Sequence, residues 1–280
     1  YGSASYKMLQ TYIEGNDIVG LGWGASGAKS ATLSFYVKGS VTGTYGVTIQ
    51  NAATGGSRVS YVSSYTINSA DTWEFKTVTI TGPTSYTWYT DTQRGIGIIF
   101  SLGSTPYATS TLNQWQVANV FDVSGGVDLS NNSGATLYVT GVQFEPGEQA
   151  TPFEYRSYGD SLMNCYRYYA KIFTNTNDYP FGYGYKYSTT SHAVSVPLPT
   201  RLRATPTCTF DNLRVRGGNT GGANNSETVS SVGAMTYSNS NFQVFTANTN
   251  VNSAVVGQTV VLTNAVANNT SYIAFESEIS

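Results

Sequence analysis

The chain has 280 residues, enough for one large or two medium domains, each with its own core. Only 11% of them are charged while 14% are aromatic, and no apolar run approaches the ~18 residues of a membrane-spanning helix, which excludes a disordered polyelectrolyte and a helical membrane protein. A formal net charge of -2 gives no reason to expect nucleic acid or an anionic membrane as a partner.

Short alternating segments bounded by Gly, Asn, Ser or Pro recur along the chain and predict an all-β fold of antiparallel strands. Over 31–38, Leu33, Phe35 and Val37 alternate with Thr32, Ser34, Tyr36 and Lys38, and Tyr45, Val47 and Ile49 repeat the pattern after a turn at 41–44. Further strands are expected at 58–67, 73–81, 95–102 and 135–144. About eight strands then precede residue 150, the number a jelly-roll sandwich needs. Trp23 and Trp73 are expected in the core.

Two connections carry aromatic residues of a different kind. The phrase TSYTWYT sets Tyr86, Trp88 and Tyr89 in a polar stretch, with Asp91, Asn113, Trp115 and Gln116 near in sequence. Sugar rings stack their apolar faces on aromatic planes while side-chain amides and carboxylates take their hydroxyls, so Tyr86, Trp88, Tyr89, Asp91 and Trp115 form a candidate glycan site. The alternative is that Trp88 and Trp115 plug one end of a sandwich. Both readings stand at this level.

The segment 140–169, TGVQFEPGEQATPFEYRSYGDSLMNCYRYY, runs a strand into a Pro-Gly break, a second Pro and a helix start. Asp160 is expected to cap a helix from residue 161 to about 166, its carboxylate accepting from first-turn backbone donors. This gives an N-terminal domain over 1–153, a hinge with a short helix over 154–167, and a second β-sandwich over 168–280. Strands are expected there at 168–174, 182–188, 192–198, 206–210, 214–217, 229–235, 242–246, 258–262 and 271–278. Between them the low-complexity stretch 217–227, GGNTGGANNSE, is expected to be an exposed, mobile loop.

In DYPFGYGYKYS, Tyr179, Phe181, Tyr183, Tyr185 and Tyr187 all occupy odd positions. An extended conformation lines them along one face, with Pro180, Gly182, Gly184 and Lys186 on the other. Such a stripe suits a neighbouring subunit or a ligand.

No constellation of catalytic residues emerges. The close acid pairs Glu145/Glu148 and Glu276/Glu278 fall at a turn and on a terminal strand, where charge blocks unwanted strand pairing. The single histidine, His192, shares its strand face with Val194, Val196 and Leu198, as a packed or interface histidine does. No nucleophile elbow, zinc-protease or nucleotide-binding motif is present, so the chain does not read as an enzyme. Cys165 and Cys208 match no zinc spacing and are expected as free thiols rather than a disulfide. The chain opens at Tyr1 without a methionine or a signal peptide, as a processed product or a fragment does.

The 140–169 segment resembles the junction of tail fibre and virion structural proteins of tailed bacteriophages, especially those of cyanobacteria. The resemblance rests on Gly141, Val142, Gln143 and Glu145, on Thr151, Pro152, Phe153 and Glu154, on Arg156, Ser157, Tyr158, Gly159 and Leu162, and on Cys165, Arg167, Tyr168 and Tyr169. The phrases LGWGASGAKSATLSFYVKGSVTGTYGVTIQN, SYTINSADTWEFKTVTITG, GATLYVTGVQFE, PLPTRLRATPTCTF and YIAFESEIS extend it over nearly the whole chain. The resemblance implies a jelly roll similar to carbohydrate-binding modules and a distal β-sandwich. It further implies a virion location in a tail fibre, a homotrimer in contact with other virion proteins, and attachment to host-surface glycan without cleavage. A purely structural baseplate, collar or capsid role is the alternative; a depolymerase tailspike is a second, which the lack of a β-helix repeat disfavours. Modules of this kind hold a structural calcium, for which Glu14, Asp17 and Glu145 are the first donors to test, although the sequence contains no contiguous calcium loop.

Overall fold

Large apolar residues alternating with small polar ones set the strands, because successive side chains point to opposite faces of a sheet. The computed structural model describes residues 7–51, 58–103, 105–174, 179–217, 226–233, 242–249, 256–264 and 271–278. The chain divides into one unit ending at Tyr155 and a second spanning Arg156–Glu278.

The first unit contains β1 (Met8–Glu14), β2 (Ala31–Gly39), β3 (Gly43–Asn51), β4 (Val59–Ile67), β5 (Glu74–Ile80), β6 (Arg94–Ser101), β7 (Ala108–Thr109), β8 (Trp115–Val117), β9 (Asp122–Val123) and β10 (Leu137–Pro146). A single short turn of helix, α1 (Gly15–Ile18), follows β1. Five strands form an antiparallel sheet in the order β1-β6-β3-β4-β8, three form a second sheet β10-β2-β5, and β7 pairs with β9. The two larger sheets enclose one core in which Leu33, Phe35 and Val37 of β2 are fully buried. Phe35 meets Tyr65 and Phe100 edge to face at 5.1 and 5.0 Å, an arrangement that adds to the value of the buried area. The first unit is thus a β-sandwich.

Trp23 belongs to that core, but Trp73 does not: it is 46% exposed, with Lys38 Nζ 5.4 Å from its ring. The reason is parity. In β5 the inward residues are Val78 and Ile80, so the odd positions Phe75 and Trp73 face out, beside Tyr36 and Lys38 of β2.

The second unit opens with α2 (Tyr158–Tyr166). Its cap is Ser157 rather than Asp160: the Ser157 hydroxyl accepts from Asp160 N at 3.1 Å and donates to Asp160 Oδ2 at 2.7 Å. Asp160 stands three residues inside the helix, as the acid of a capping box does. The strands are β11 (Tyr169–Thr174), β12 (Pro180–Lys186), β13 (Ser191–Pro197), β14 (Thr207–Asp211), β15 (Leu213–Gly217), β16 (Ser226–Val232), β17 (Phe242–Thr249), β18 (Thr259–Asn264) and β19 (Ser271–Glu276). Six of them close into a barrel, β12-β13-β17-β16-β15-β18, and three form the sheet β11-β19-β14. Closure happens because β18 pairs with both β15 and β12, which leaves none of the six with a free edge. Gly182 and Gly184 permit the close approach of the β13 backbone to β12. A Cβ at Gly184 would lie 1.8 Å from Ala193 O, and one at Gly182 would lie 2.4 Å from Ser195 O.

The aromatic stripe of β12 is broken. Tyr179, Tyr183, Tyr185 and Tyr187 are exposed, but Phe181 is buried in the barrel core. A register shift between Pro180 and Gly182 in the pairing with β18 inserts an extra residue and turns Phe181 inward. The stretch 217–227 also departs from expectation at its end. Residues 218–225 lie outside the described residues, but Glu227 is on β16 and only 2% exposed. Both cysteines are free thiols, Cys165 exposed and Cys208 half-buried; burial pushes the Cys208 thiol up to about 12.

Candidate functional site

The aromatic residues proposed from sequence do not form one surface. Trp88 is 8% exposed and sits in the core with its ring 4.8 Å from Trp23 and 5.2 Å from Trp115, edge to face. Each indole N–H donates to a backbone carbonyl: Trp23 to Lys29 at 2.8 Å, Trp88 to Ser85 at 3.2 Å and Trp115 to Thr81 at 2.7 Å. Trp88 is thus enclosed by these rings in the core. Trp115 is half-buried against Tyr61 at 5.2 Å. Tyr86 is exposed with φ of 74°. Tyr89 lies with its carbonyl against Gly15, and Asp91 accepts from Gln93 N at 2.8 Å and from Gln93 Nε2 at 3.0 Å. Those bonds hold the Asp91 carboxyl below its usual range and close a turn.

The proposed calcium donors are likewise separate. Glu145 Oε1 accepts from Gln143 Nε2 and Thr151 N, and its Oε2 from Thr151 Oγ1 at 2.6 Å, which ties down the 147–151 turn. Glu14 is buried and accepts from Asn16 Nδ2 at 3.0 Å. Among the described residues no three His, Cys, Asp or Glu side chains converge as a metal site, so Glu14, Asp17 and Glu145 do not share one.

A pocket of about 310 Å³ lies instead on the outer face of the five-stranded sheet. Its position follows from strand parity. The odd residues of β3 and the even residues of β6 fill the core, so Gln50 and Ile99 point the other way, in rows with Tyr12 and Gln10 of β1. Gly97, between Tyr12 and Gln50, contributes no side chain; a Cβ there would lie 3.2 Å from the Tyr12 ring and 3.3 Å from Gln10 Nε2. The chain between β6 and β10 returns over this face and brings Tyr107 and Asn119 to the pocket. Tyr107 stacks on buried Phe121 with ring centroids 4.7 Å apart, 19° from parallel.

The pocket's polar groups are held in place. Gln50, 2% exposed, donates through Nε2 to Ser60 Oγ at 3.0 Å and to Asn119 Oδ1 at 3.1 Å, and accepts from Arg58 Nη1 at 3.0 Å. Ser60 Oγ in turn donates to Ala118 O at 2.7 Å. Arg94 lies 4.2 Å from the Tyr12 ring and supports it. Among the described residues, Arg58 supplies the only charge in a lining otherwise made of amides, tyrosines and apolar groups. Such a site can bind and orient a polar ring. The strand pattern hid it, because Gln10 and Gln50 read as an ordinary solvated face until another part of the chain covers it.

A second polar group lies inside the barrel. Lys186, His192, Glu227 and Thr249 are at most 3% exposed. Lys186 Nζ is 3.3 Å from Glu227 Oε1, His192 Nε2 is 3.8 Å from Glu227 Oε2, and Thr249 Oγ1 donates to the same Oε2. His192 Nδ1 is 3.3 Å from Ala247 O. Burial holds the imidazole below its ordinary pKa, against the opposing pull of the Ala247 carbonyl and Glu227. Sequence reasoning placed His192 among its apolar neighbours but missed Glu227, which closes a low-complexity run.

No protein-family model matches this chain, and no curated protein matches it at a significant score.

Proposed function

We propose that this chain is a non-catalytic glycan-binding protein of a phage appendage, and that the pocket on the five-stranded sheet of its first unit is where a sugar binds. The observation that carries this reading is the lining itself: Gln10, Tyr12, Gln50, Tyr107 and Asn119 converge on about 310 Å³. That volume is near the lower end of ligand pockets, roughly 300–1,000 Å³. Side-chain amides exchange hydrogen bonds with vicinal hydroxyls, and Tyr107 or Tyr12 offers a ring face. Attachment to a virion and the jelly-roll and tail-fibre assignments rest on the phrases of the 140–169 segment and their companions. A glycan array with the purified full chain tests the reading. Binding that is lost in Gln10→Ala and Tyr107→Ala, with unchanged melting temperature, supports it; no binding by the wild type at high protein concentration refutes it.

A structural role in the virion is the second reading, and one observation favours it. Trp73, Phe75, Tyr36 and Tyr138 are each 43–50% exposed on the outer face of β10-β2-β5, and Tyr183, Tyr185 and Tyr187 are 46–62% exposed on the barrel. Tyrosine and tryptophan concentrate at subunit interfaces. If these faces pack between copies, light scattering gives a trimer mass that Tyr183→Ala with Tyr185→Ala reduces to a monomer.

A further inference from the structure

We infer that the sugar taken by this pocket is acidic, its carboxylate pairing with Arg58; the inference rests on the glycan reading of the same site. Arg58 stands immediately before β4, half-buried at the pocket wall. Among the described residues its one hydrogen bond is to a neutral acceptor, Gln50 Oε1 at 3.0 Å, and no carboxylate lies within salt-bridge distance of it. A guanidinium carries five N–H donors, so most of its hydrogen-bonding capacity remains open. The acid nearest to the lining in sequence, Asp122, follows Phe121 but turns its Oδ1 to Val123 N at 2.8 Å.

The orientation of Arg58 is fixed from behind. Gln50 is fastened to Ser60 and Asn119 through its nitrogen, which leaves its oxygen directed at Arg58. A buried amide anchored at two further points spares the arginine the entropy of finding one pose on binding. Asn119 spends its oxygen on Gln50, so its amide N–H groups are the part that faces a ligand. Gln10 and the Tyr12 hydroxyl make no side-chain hydrogen bond to described protein groups. The pocket therefore offers a fixed cation and several donors, with no fixed anion. That set matches a planar carboxylate attached to a ring of hydroxyls, because the guanidinium fork meets both carboxylate oxygens at once. Neutral sugars satisfy the amides and leave the fork unfilled.

The test uses the wild-type full chain and three oligosaccharides of one backbone: one bearing uronic acid, its carboxyl-reduced form with CH₂OH in place of COO⁻, and a sulfated form. Titration calorimetry at low and high salt reads each affinity. A charge-assisted hydrogen bond to a carboxylate corresponds to roughly 10–100-fold tighter binding of the acid than of its reduced form, and that preference shrinks as salt rises. In Arg58→Gln the preference disappears while weak binding of both forms persists, and Arg58→Lys recovers part of it because an ammonium cannot form the fork. Equal affinity for acid and reduced forms overturns the inference and leaves the glycan reading standing. Tighter binding of the sulfated form overturns the carboxylate assignment. Absence of binding to all three at millimolar concentration overturns both. The comparison of ligands on wild-type protein stays decisive even if an Arg58 variant fails to fold.

Discussion

Replacing Glu227 with Gln removes the anion from the barrel interior while keeping its shape. In the native protein Glu227 holds Lys186 at 3.3 Å and receives a hydrogen bond from Thr249, and none of the three is more than 3% exposed. Glu227→Gln therefore removes the carboxylate that faces a fully buried ammonium. Breaking one partner of a buried pair costs about 3–5 kcal/mol, because the remaining charge keeps its full desolvation penalty. A domain of this size loses about 3–5 °C of melting temperature per kcal/mol, so the second unit should melt about 10–25 °C lower. The double variant Glu227→Leu with Lys186→Met removes both charges and should recover most of that loss, since the Thr249 hydroxyl still has Thr190 O within 3.4 Å as an acceptor. The molecule supplies its own control. All four tryptophans, Trp23, Trp73, Trp88 and Trp115, lie in the first unit, so tryptophan fluorescence follows that unit while far-UV circular dichroism and amide exchange also follow the barrel. The expected result is an unmoved fluorescence transition beside a lowered barrel transition. A barrel within about 1 kcal/mol of wild type, or a double variant as weak as the single one, would refute the argument that the pair is desolvated and coupled.

Other outcomes follow from the same geometry. Trp88→Ala opens a cavity in the indole cluster and should destabilise the first unit by about 3–5 kcal/mol, read from the fluorescence of the remaining tryptophans; an unchanged midpoint would place Trp88 outside the core. His192 is held below its ordinary value of 6.5 by burial, so the unfolded chain takes up a proton that the folded barrel refuses. Stability is then complete above pH 6.5 and declines as pH falls below it. The carboxyls lowered by hydrogen bonds, at Glu74, Asp91, Asp128 and Glu145, start from 3.8 to 4.5 and contribute their loss only below that range, so they do not contribute to a melting series between pH 5 and 7. A flat series refutes the assignment. In a thiol titration under native conditions Cys165 should react at once, and Cys208, its thiol pushed up to about 12, only on unfolding.

What the sequence made legible was whatever depends on a two-residue period. The β2 and β3 strands, the inward set Leu33, Phe35 and Val37, and the placement of His192 beside Val194 and Val196 follow directly from alternation. Alternation fails where the register slips by one. Phe181 shares parity with its tyrosine neighbours, yet the bulge at Pro180–Gly182 sends it inward. It fails again where parity is ambiguous at a strand end, as at Trp73. Closure of the barrel was invisible for a different reason: it depends on β18 finding β12 across most of the second unit, a pairing that no local pattern encodes.

The candidate site was hidden by the same logic. An aromatic residue in a polar stretch suggests a ligand platform, but Trp88 is drawn inward because three indoles can satisfy one another's edges and donate their N–H groups to nearby carbonyls. The polar residues that do converge are spread over four stretches of chain, at Gln10, Gln50, Arg58 and Asn119, each unremarkable in its own strand or loop. What singles them out is electrostatic bookkeeping in three dimensions. Gln50 is too buried to face solvent and too well bonded to be incidental, and its remaining oxygen is committed to a cation with no acidic partner among the described residues. A protein gains no stability from fixing an unpaired guanidinium beside a polar cavity, because holding the side chain in one pose costs conformational entropy that a bond to one neutral oxygen only partly offsets. An anion arriving from outside would complete the arrangement, and for that reason Arg58 is the residue on which the proposed acidic-glycan site turns.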